Sequence, residues 1–269
     1  MSSIVTEQGI LHYESIGRGQ PVILLHGWIN SWDVWRDSMV ALAKTRRYRV
    51  YALDFWGFGD SAKGAEDAAA TFQVSSYVEM VYQFMTTLGI QQAPIIGHSM
   101  GGTVALSMAL EHPDRVAKTA VVGAPIVGSS LNPFLRLAGY NAIAKLIWRY
   151  PFMLDTIMKI LLAGDSKAVK SMITRDVQRT TMESFFRSIG DLRVTDLRDR
   201  LDTLESPVLG MYGVKDNIVA PSNARLLDSG VHMSKTVMMQ KSRHFPMIDE
   251  PERFIETLQD FLSDNGTSD

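Results

Sequence analysis

Residues 97–101 read Gly-His-Ser-Met-Gly, directly after an apolar run at 94–96 and directly before a helical pattern at 103–110. A strand followed at once by a helix puts Ser99 on a sharp turn. There a Cβ at Gly97 or Gly101 would crowd the crossing elements, and the strained backbone would push the serine hydroxyl outward. A serine hydroxyl is a poor nucleophile near neutral pH, so chemistry at Ser99 needs a base, normally a histidine oriented by a carboxylate.

The chain holds six histidines. Where a strand–turn–helix carries the nucleophile, the acid and then the histidine follow it in the chain, which leaves His112, His232 and His244. His112 ends the helix that starts at Ser99, about 18 Å away, too far to act as its base. His232 precedes the strand pattern at 235–239, at the edge of a sheet opposite its functional end, and reads as a solvated surface residue. His244 follows that strand, in SRHFPMIDEP, where parallel sheets gather catalytic groups beyond the C-terminal ends of their strands. By the same rule the acid is Asp216, in YGVKDNIV after the run at 207–212. The preceding strand ends in VVGAPIVG and offers no carboxylate. The other reading of Asp216 is a turn residue capping the loop before Pro221.

Acyl chemistry also needs two backbone N–H donors for an oxyanion, each worth about 3–4 kcal/mol where one has been removed. Met100 supplies one. The loop HGWINSWDVW, after the run at 22–25, supplies the other from the backbone of Trp28, since His26 and Gly27 make the tight turn that aims the next amide inward. The Trp28 ring is either a wall of the acyl pocket or a packed loop aromatic.

These residues need a scaffold, and apolar runs at 22–25, 49–53, 94–96, 117–122, 207–211 and 235–239 alternate with helical patterns. Such alternation predicts an α/β fold with a mostly parallel sheet. A hairpin is expected at 4–5 and 10–13. Val74, Tyr77, Val78, Val81, Met85 and Leu88 fall on one face of a helix that should cover the sheet, and Phe254, Ile255, Leu258, Phe261 and Leu262 do the same near the end. The alternation fails at 127–200, which reads as an inserted helical cap on a core formed by 1–126 and 201–269. The cap is rich in large apolar residues: Phe134, Leu137, Tyr140, Ile147, Trp148, Phe152, Met153, Ile157, Met158, Leu161, Met172, Phe185 and Phe186. They either enclose a hydrophobic substrate or pack the cap's own small core. Trp28, Trp148 and Phe152 are the candidate pocket residues.

Composition narrows the partners. The chain has 269 residues, 46% hydrophobic and 21% charged, with a formal net charge of −2, enough to bury roughly three quarters of its unfolded surface. Neither that charge nor any basic run would gather nucleic acid or an anionic membrane surface. With no cysteine, disulfides, thiolate metal sites and cysteine nucleophiles are excluded, and no metal or cofactor is expected. The N-terminus lacks the basic start and apolar core of a secretory signal, so a cytoplasmic chain is expected. The most apolar stretch, 142–164, is broken by Lys145, Arg149, Pro151, Asp155 and Lys159, so no integral membrane segment is expected. The expected partner is a small hydrophobic molecule.

With these residues placed, the chain resembles the α/β-hydrolase superfamily. The resemblance rests on LLHGW at 24–28, DFWGFGDS at 54–61, GHSMGG at 97–102, GVKD at 213–216 and RHFPMIDEPERF at 243–254, and covers about 20–126 and 205–264. It implies a mostly parallel eight-stranded sheet with helices on both faces. Arg243 departs from the glycine common before the histidine in such proteins, and either narrows the site or points to solvent. Asp54 is expected to hold a turn, and His98 to point away from the Ser99 hydroxyl, so neither belongs to the triad. Serine rather than aspartate at 99 argues against the haloalkane dehalogenase and epoxide hydrolase branches. The reaction implied is cleavage of an ester of a hydrophobic or aromatic small molecule through an acyl-enzyme intermediate. Three other readings stand beside it: a cofactor-free perhydrolase, to which Trp28 beside His26 and Gly27 points; a carbon–carbon bond hydrolase, whose usual Gly-rich loop HGWINSW lacks; and a ligand-binding receptor on a hydrolase scaffold.

Overall fold

The computed structural model describes residues 2–63, 72–160 and 166–264. Leu161 and the side chain of Met153, both counted above in the cap's apolar surface, lie outside the described residues. Eight strands form one sheet: β1 (Ser2–Thr6), β2 (Gly9–Gly17), β3 (Gln20–Leu25), β4 (Tyr48–Leu53), β5 (Ala93–His98), β6 (Val116–Val122), β7 (Val208–Gly213) and β8 (Ser234–Met239). Their order is β1-β2-β4-β3-β5-β6-β7-β8. β1 and β2 are the expected hairpin and β2 runs antiparallel to β4, while every later pairing is parallel.

The central strands are apolar without alternation because helices cover the sheet. Val22, Ile23, Leu24 and Leu25 of β3 have no exposed surface, and each such side chain contributes about 1.5–3 kcal/mol by leaving water. The covering helices are α1 (Arg36–Lys44), α2 (Val74–Thr87) and α3 (Met100–Glu111) in the first half. After β7 come α9 (Asn223–Gly230), α10 (Pro246–Asp249) and α11 (Pro251–Ser263). α2 packs beside α3, and α11 beside α1. The sequence face at 74–88 is the buried one: Val74, Tyr77, Val78, Val81 and Met85 all lie in the core.

Between β6 and β7 the described residues form α4 (Pro133–Ala138), α5 (Asn141–Trp148), α6 (Pro151–Met158), α7 (Lys167–Val177) and α8 (Met182–Leu192), with no named strand. Local chemistry starts several of them. The Asn132 side chain accepts from Phe134 N with Pro133 in the first turn, and Thr181 and Ser184 form a reciprocal capping box. This segment leaves and rejoins the core at one place, where Leu197 N donates to Ile126 O at 3.0 Å and Gly128 N to Thr195 O at 2.8 Å. α8 is then tied down by Ser184 Oγ donating to Gly57 O at 2.9 Å and Trp28 Nε1 donating to Phe185 O at 3.0 Å. No helix among the described residues is long and apolar enough to cross a membrane.

Candidate active site

Ser99 follows β5 and caps α3 with φ 50° and ψ −119°, a left-handed conformation that a side chain rarely adopts. Two close approaches force the glycines beside it. A Cβ on Gly97 would lie 2.0 Å from Gly101 O, and one on Gly101 would lie 2.5 Å from both Leu25 O and His26 O. The turn is pinned from the next strand, where Ser99 N donates to Val122 O at 2.8 Å.

Register brings the other groups to the same end of the sheet. His98 pairs with Val122, Val122 with Met211, and Gly213 with Met239, so the loops after β5, β6, β7 and β8 emerge side by side. Asp216 comes from the loop after β7. Its Oδ1 accepts from Ile218 N at 2.8 Å and Val219 N at 3.1 Å, and its Oδ2 accepts from His244 Nδ1 at 2.8 Å. Both residues are buried. The end of β6, which offers no carboxylate, serves by being bare: Gly123 has φ 56°, and a Cβ there would lie 3.3 Å from both Asp216 Oδ2 and His244 Nδ1.

The His244 loop is held by two acids whose role the sequence did not signal beyond their place in RHFPMIDEPERF. Asp249 Oδ2 accepts from Arg243 N at 2.8 Å. Glu250 Oε1 accepts from Lys241 N at 2.8 Å, Ser242 N at 3.0 Å and Ser242 Oγ at 2.7 Å. Arg243 itself is exposed, so of its two readings the structure selects the solvent-facing one.

Ser99 and His244 line one small cavity of about 20 Å³ with Trp28, Asn30, His98, Leu131, Leu135, Ile189, Leu192, Ile218 and Phe245. That is room for about one water, under a wall supplied by α4, α8 and the loops beside them. A larger groove of about 650 Å³ lies at the other end of the strands, but Gln20, Pro21, Gln92, Pro94 and Lys118 are typical of its lining, and it contains neither serine nor histidine. The small cavity is therefore where the chemistry-bearing residues meet.

The two candidate oxyanion donors are set differently. Met100 opens α3, where an N–H has no carbonyl of its own helix to bind. Trp28 sits in a tight turn closed by Asn30 N donating to Gly27 O at 3.1 Å, with Ile29 at φ 59°, and its own N–H has no acceptor among the described residues. Upstream, His26 Nδ1 donates to Gly27 O at 2.7 Å while its Nε2 accepts from Phe55 N at 3.0 Å. Trp28 fills both readings of its ring, lining the cavity and packing 4.6 Å from the Phe185 ring.

The pocket assignments of Trp148 and Phe152 are not met. Trp148 stands one layer further out, its ring 5.7 Å from Phe185, and does not line the cavity. Phe152 is 71% exposed. Among the described side chains of α6, Met158 is the buried one, and a residue six positions away on a helix lies about 120° around the axis, so Phe152 and Met158 do not share one face. His98, expected to point away from the Ser99 hydroxyl, nevertheless lines the cavity and donates from Nε2 to the main-chain O of His244 at 2.8 Å.

The remaining candidates fall outside. His112 stacks on Tyr82 at 4.5 Å, and His232 is exposed. Asp54 holds its turn: its carboxylate accepts from Trp32 N at 2.7 Å, Asp60 N at 2.8 Å and His12 Nδ1 at 2.8 Å. His12, Asp54 and Asp60 are close enough together to hold a cation, but these hydrogen bonds already occupy the Asp54 oxygens and the His12 Nδ1. Burial disfavours charge on both partners of this pair. For His12 the hydrogen bond and charge of Asp54 outweigh it, raising His12 above the ordinary histidine value; for Asp54 the hydrogen bond from His12, the nearby His26 and the N–H groups of Asp60 and Trp32 outweigh it, lowering Asp54 below the ordinary carboxylate value.

Comparison with known proteins agrees with this fold. A family profile described as "alpha/beta hydrolase fold" matches residues 20–251. The chain is 30% identical over 260 residues to a pimeloyl-acyl-carrier protein methyl ester esterase of Aeromonas hydrophila, covering 93% of this chain and 98% of that one. Among solved structures, a hydrolase from Pseudomonas aeruginosa superposes with a TM-score of 0.85 at 20% identity, covering 97% of this chain and 98% of the other. An esterase from Exiguobacterium antarcticum superposes with a TM-score of 0.82 at 25% identity, covering 94% and 96%.

Proposed function

The chain belongs to the alpha/beta hydrolase fold family, and from that premise we propose that it is a serine esterase with Ser99 as nucleophile, His244 as base and Asp216 as the orienting acid. The observation that carries the reading is the buried His244 Nδ1 to Asp216 Oδ2 hydrogen bond of 2.8 Å, beside a serine held at φ 50° on the wall of the same cavity. Asp216 Oδ2 accepts the hydrogen bond of Nδ1–H, which keeps the proton on Nδ1 and leaves Nε2 of His244 with the lone pair that takes the proton of Ser99. Ser99 Oγ adds to the ester carbonyl, and the oxyanion is met by the N–H groups of Met100 and Trp28. His244 returns the proton to the leaving alcohol, giving an acyl-enzyme. It then activates a water that releases the acid and restores Ser99.

The rest of the cavity lining supports a hydrophobic substrate: Leu131, Leu135, Ile189, Leu192, Ile218 and Phe245 are apolar. The methyl ester in the name of the Aeromonas hydrophila relative supports ester cleavage.

Labelling with a fluorophosphonate tests the nucleophile, because such a probe phosphonylates an activated serine. The protein is expected to label and Ser99→Ala not to; persistent labelling of Ser99→Ala refutes the assignment. A panel of p-nitrophenyl esters of increasing acyl length then separates an esterase from a receptor on the same scaffold. Many turnovers per site mark the enzyme, whereas a ligand-induced rise in melting temperature without turnover marks the receptor.

A further inference from the structure

We propose that His98 is a positioning residue of this site, its ring fixing the His244 loop and the Gly27–Trp28 loop relative to Ser99. The inference rests on the reading of Ser99 and His244 as nucleophile and base. Three contacts carry it. The Nε2–H of His98 donates to the main-chain O of His244 at 2.8 Å, joining residues 146 apart in the chain. The ring lies 4.7 Å from the His244 ring and 4.8 Å from that of Phe245, so the histidine loop rests on it as well as bonding to it. On its other side, a Cβ added to Gly27 would come within 2.7 Å of His98 Nδ1 and 3.1 Å of Ser99 Cβ. The loop carrying the Trp28 N–H therefore seats directly against this ring, and only a glycine allows it.

An ordinary core histidine is a poor account of these facts. Among the described residues Nδ1 is buried without a hydrogen-bond partner, a standing cost that an apolar side chain of similar size would avoid. What the apolar side chain lacks is the N–H that reaches the His244 carbonyl. Burial, and then the neighbouring His244, hold His98 well below the ordinary histidine value. It stays neutral, and its single proton sits on Nε2, facing the carbonyl. Since His98 is also the last residue of β5, the side chain that locates the base is anchored one residue from the nucleophile.

The test compares His98→Phe and His98→Gln with the natural protein on p-nitrophenyl acetate, with active sites counted by fluorophosphonate. His98→Phe keeps the ring's bulk and loses the N–H. Its kcat is expected to fall ~10-fold or more, the order of effect that sub-ångström misplacement of reacting groups produces. KM should stay within about twofold, and the rate of Ser99 phosphonylation should fall in parallel. His98→Gln can bring an amide N–H to about the same place and is expected to recover most of both rates. A kcat unchanged in His98→Phe overturns the proposal, and so does a His98→Gln as slow as His98→Phe, since the loss is then one of packing. Should His98→Phe fail to fold, His98→Asn takes its place: its amide falls short of the carbonyl, slow turnover is expected, and a natural kcat refutes the proposal. Labelling of Ser99→Ala run alongside reports separately on the nucleophile.

Discussion

Asp216→Asn changes one atom of the site, and the structure dictates how the new side chain must sit. In the natural protein Oδ1 accepts two backbone N–H groups, from Ile218 and Val219, while Oδ2 accepts from His244 Nδ1. An asparagine has one carbonyl oxygen to offer. Turning its oxygen toward His244 would point its NH₂ at two buried backbone donors, each costing about 1–3 kcal/mol when left unpaired. The oxygen therefore stays with Ile218 and Val219, and the NH₂ faces His244. Nδ1 of His244 must then become an acceptor, which moves its proton to Nε2, the nitrogen needed as a base. The productive orientation lies about 2–6 kcal/mol higher. At 1.4 kcal/mol per tenfold, kcat should fall by roughly 30-fold to 10⁴-fold. The assay is kcat on p-nitrophenyl acetate per titrated active site, with thermal unfolding in parallel to establish that the variant is folded. A folded Asp216→Asn protein with kcat within threefold of the natural one would refute both the tautomer argument and the role given to Asp216.

Three other perturbations test the scaffold. Gly97→Ala should cost several kcal/mol or leave no folded protein, because its Cβ would meet Gly101 O at 2.0 Å, whereas Gly89→Ala, at φ 68° with open space around it, should cost only about 1–2 kcal/mol; urea unfolding ranks the two. Phe185→Ala should lose about 3–5 kcal/mol, since Phe185 is 1% exposed against Trp28, while Phe152→Ala, at a 71% exposed position, should stay within about 0.5 kcal/mol. The His12–Asp54 pair makes stability depend on pH from both sides. His12 is raised, so its contribution is complete below about pH 6.5 and lost as pH rises through its folded value; Asp54 is lowered, so its contribution is complete above about pH 4 and lost as pH falls through its folded value. The urea midpoint should therefore decline from pH 6 to pH 9, and His12→Gln should flatten that decline; parallel slopes would refute it.

Much of this arrangement is legible in the chain because the relevant signals are local. β3 to β8 announce themselves as short apolar runs, and Ser99, Asp216 and His244 each follow such a run within a few residues, so a strand-end rule finds them without long-range information. The helical segment between β6 and β7 is legible only in kind. Its helices are clear, but which face of α6 turns inward depends on partners distant in the chain, and the periodicity of an eight-residue helix with apolar residues on several sides does not decide it. Hence Phe152 read as pocket and proved exposed, while Ile189 and Leu192 of α8 line the cavity. His98 is the sharper case. Its place beside Ser99 excludes it from the triad, but nothing local reveals a bond to a carbonyl 146 residues later.

The division follows from how such a site is built. β5, β7 and β8 each deliver one of the proposed reacting groups beyond their C-terminal ends, an arrangement written locally by a strand, a turn and one polar residue. Relative placement of those groups to a fraction of an ångström is a different problem, and contacts between loops solve it: His98 with the His244 carbonyl, Asp249 and Glu250 with the amides at 241–243, Gly123 beneath the Asp216–His244 bond, and Trp28 Nε1 with Phe185 O. Apart from the bonds of Asp249 and Glu250, which span 6–9 residues at 241–250, these contacts have no spacing that a sequence pattern could register, because they join segments far apart in the chain. A substitution at one of these contacts should therefore lower kcat while leaving every reacting residue in place, and it is among them that differences between this site and those of its relatives should concentrate.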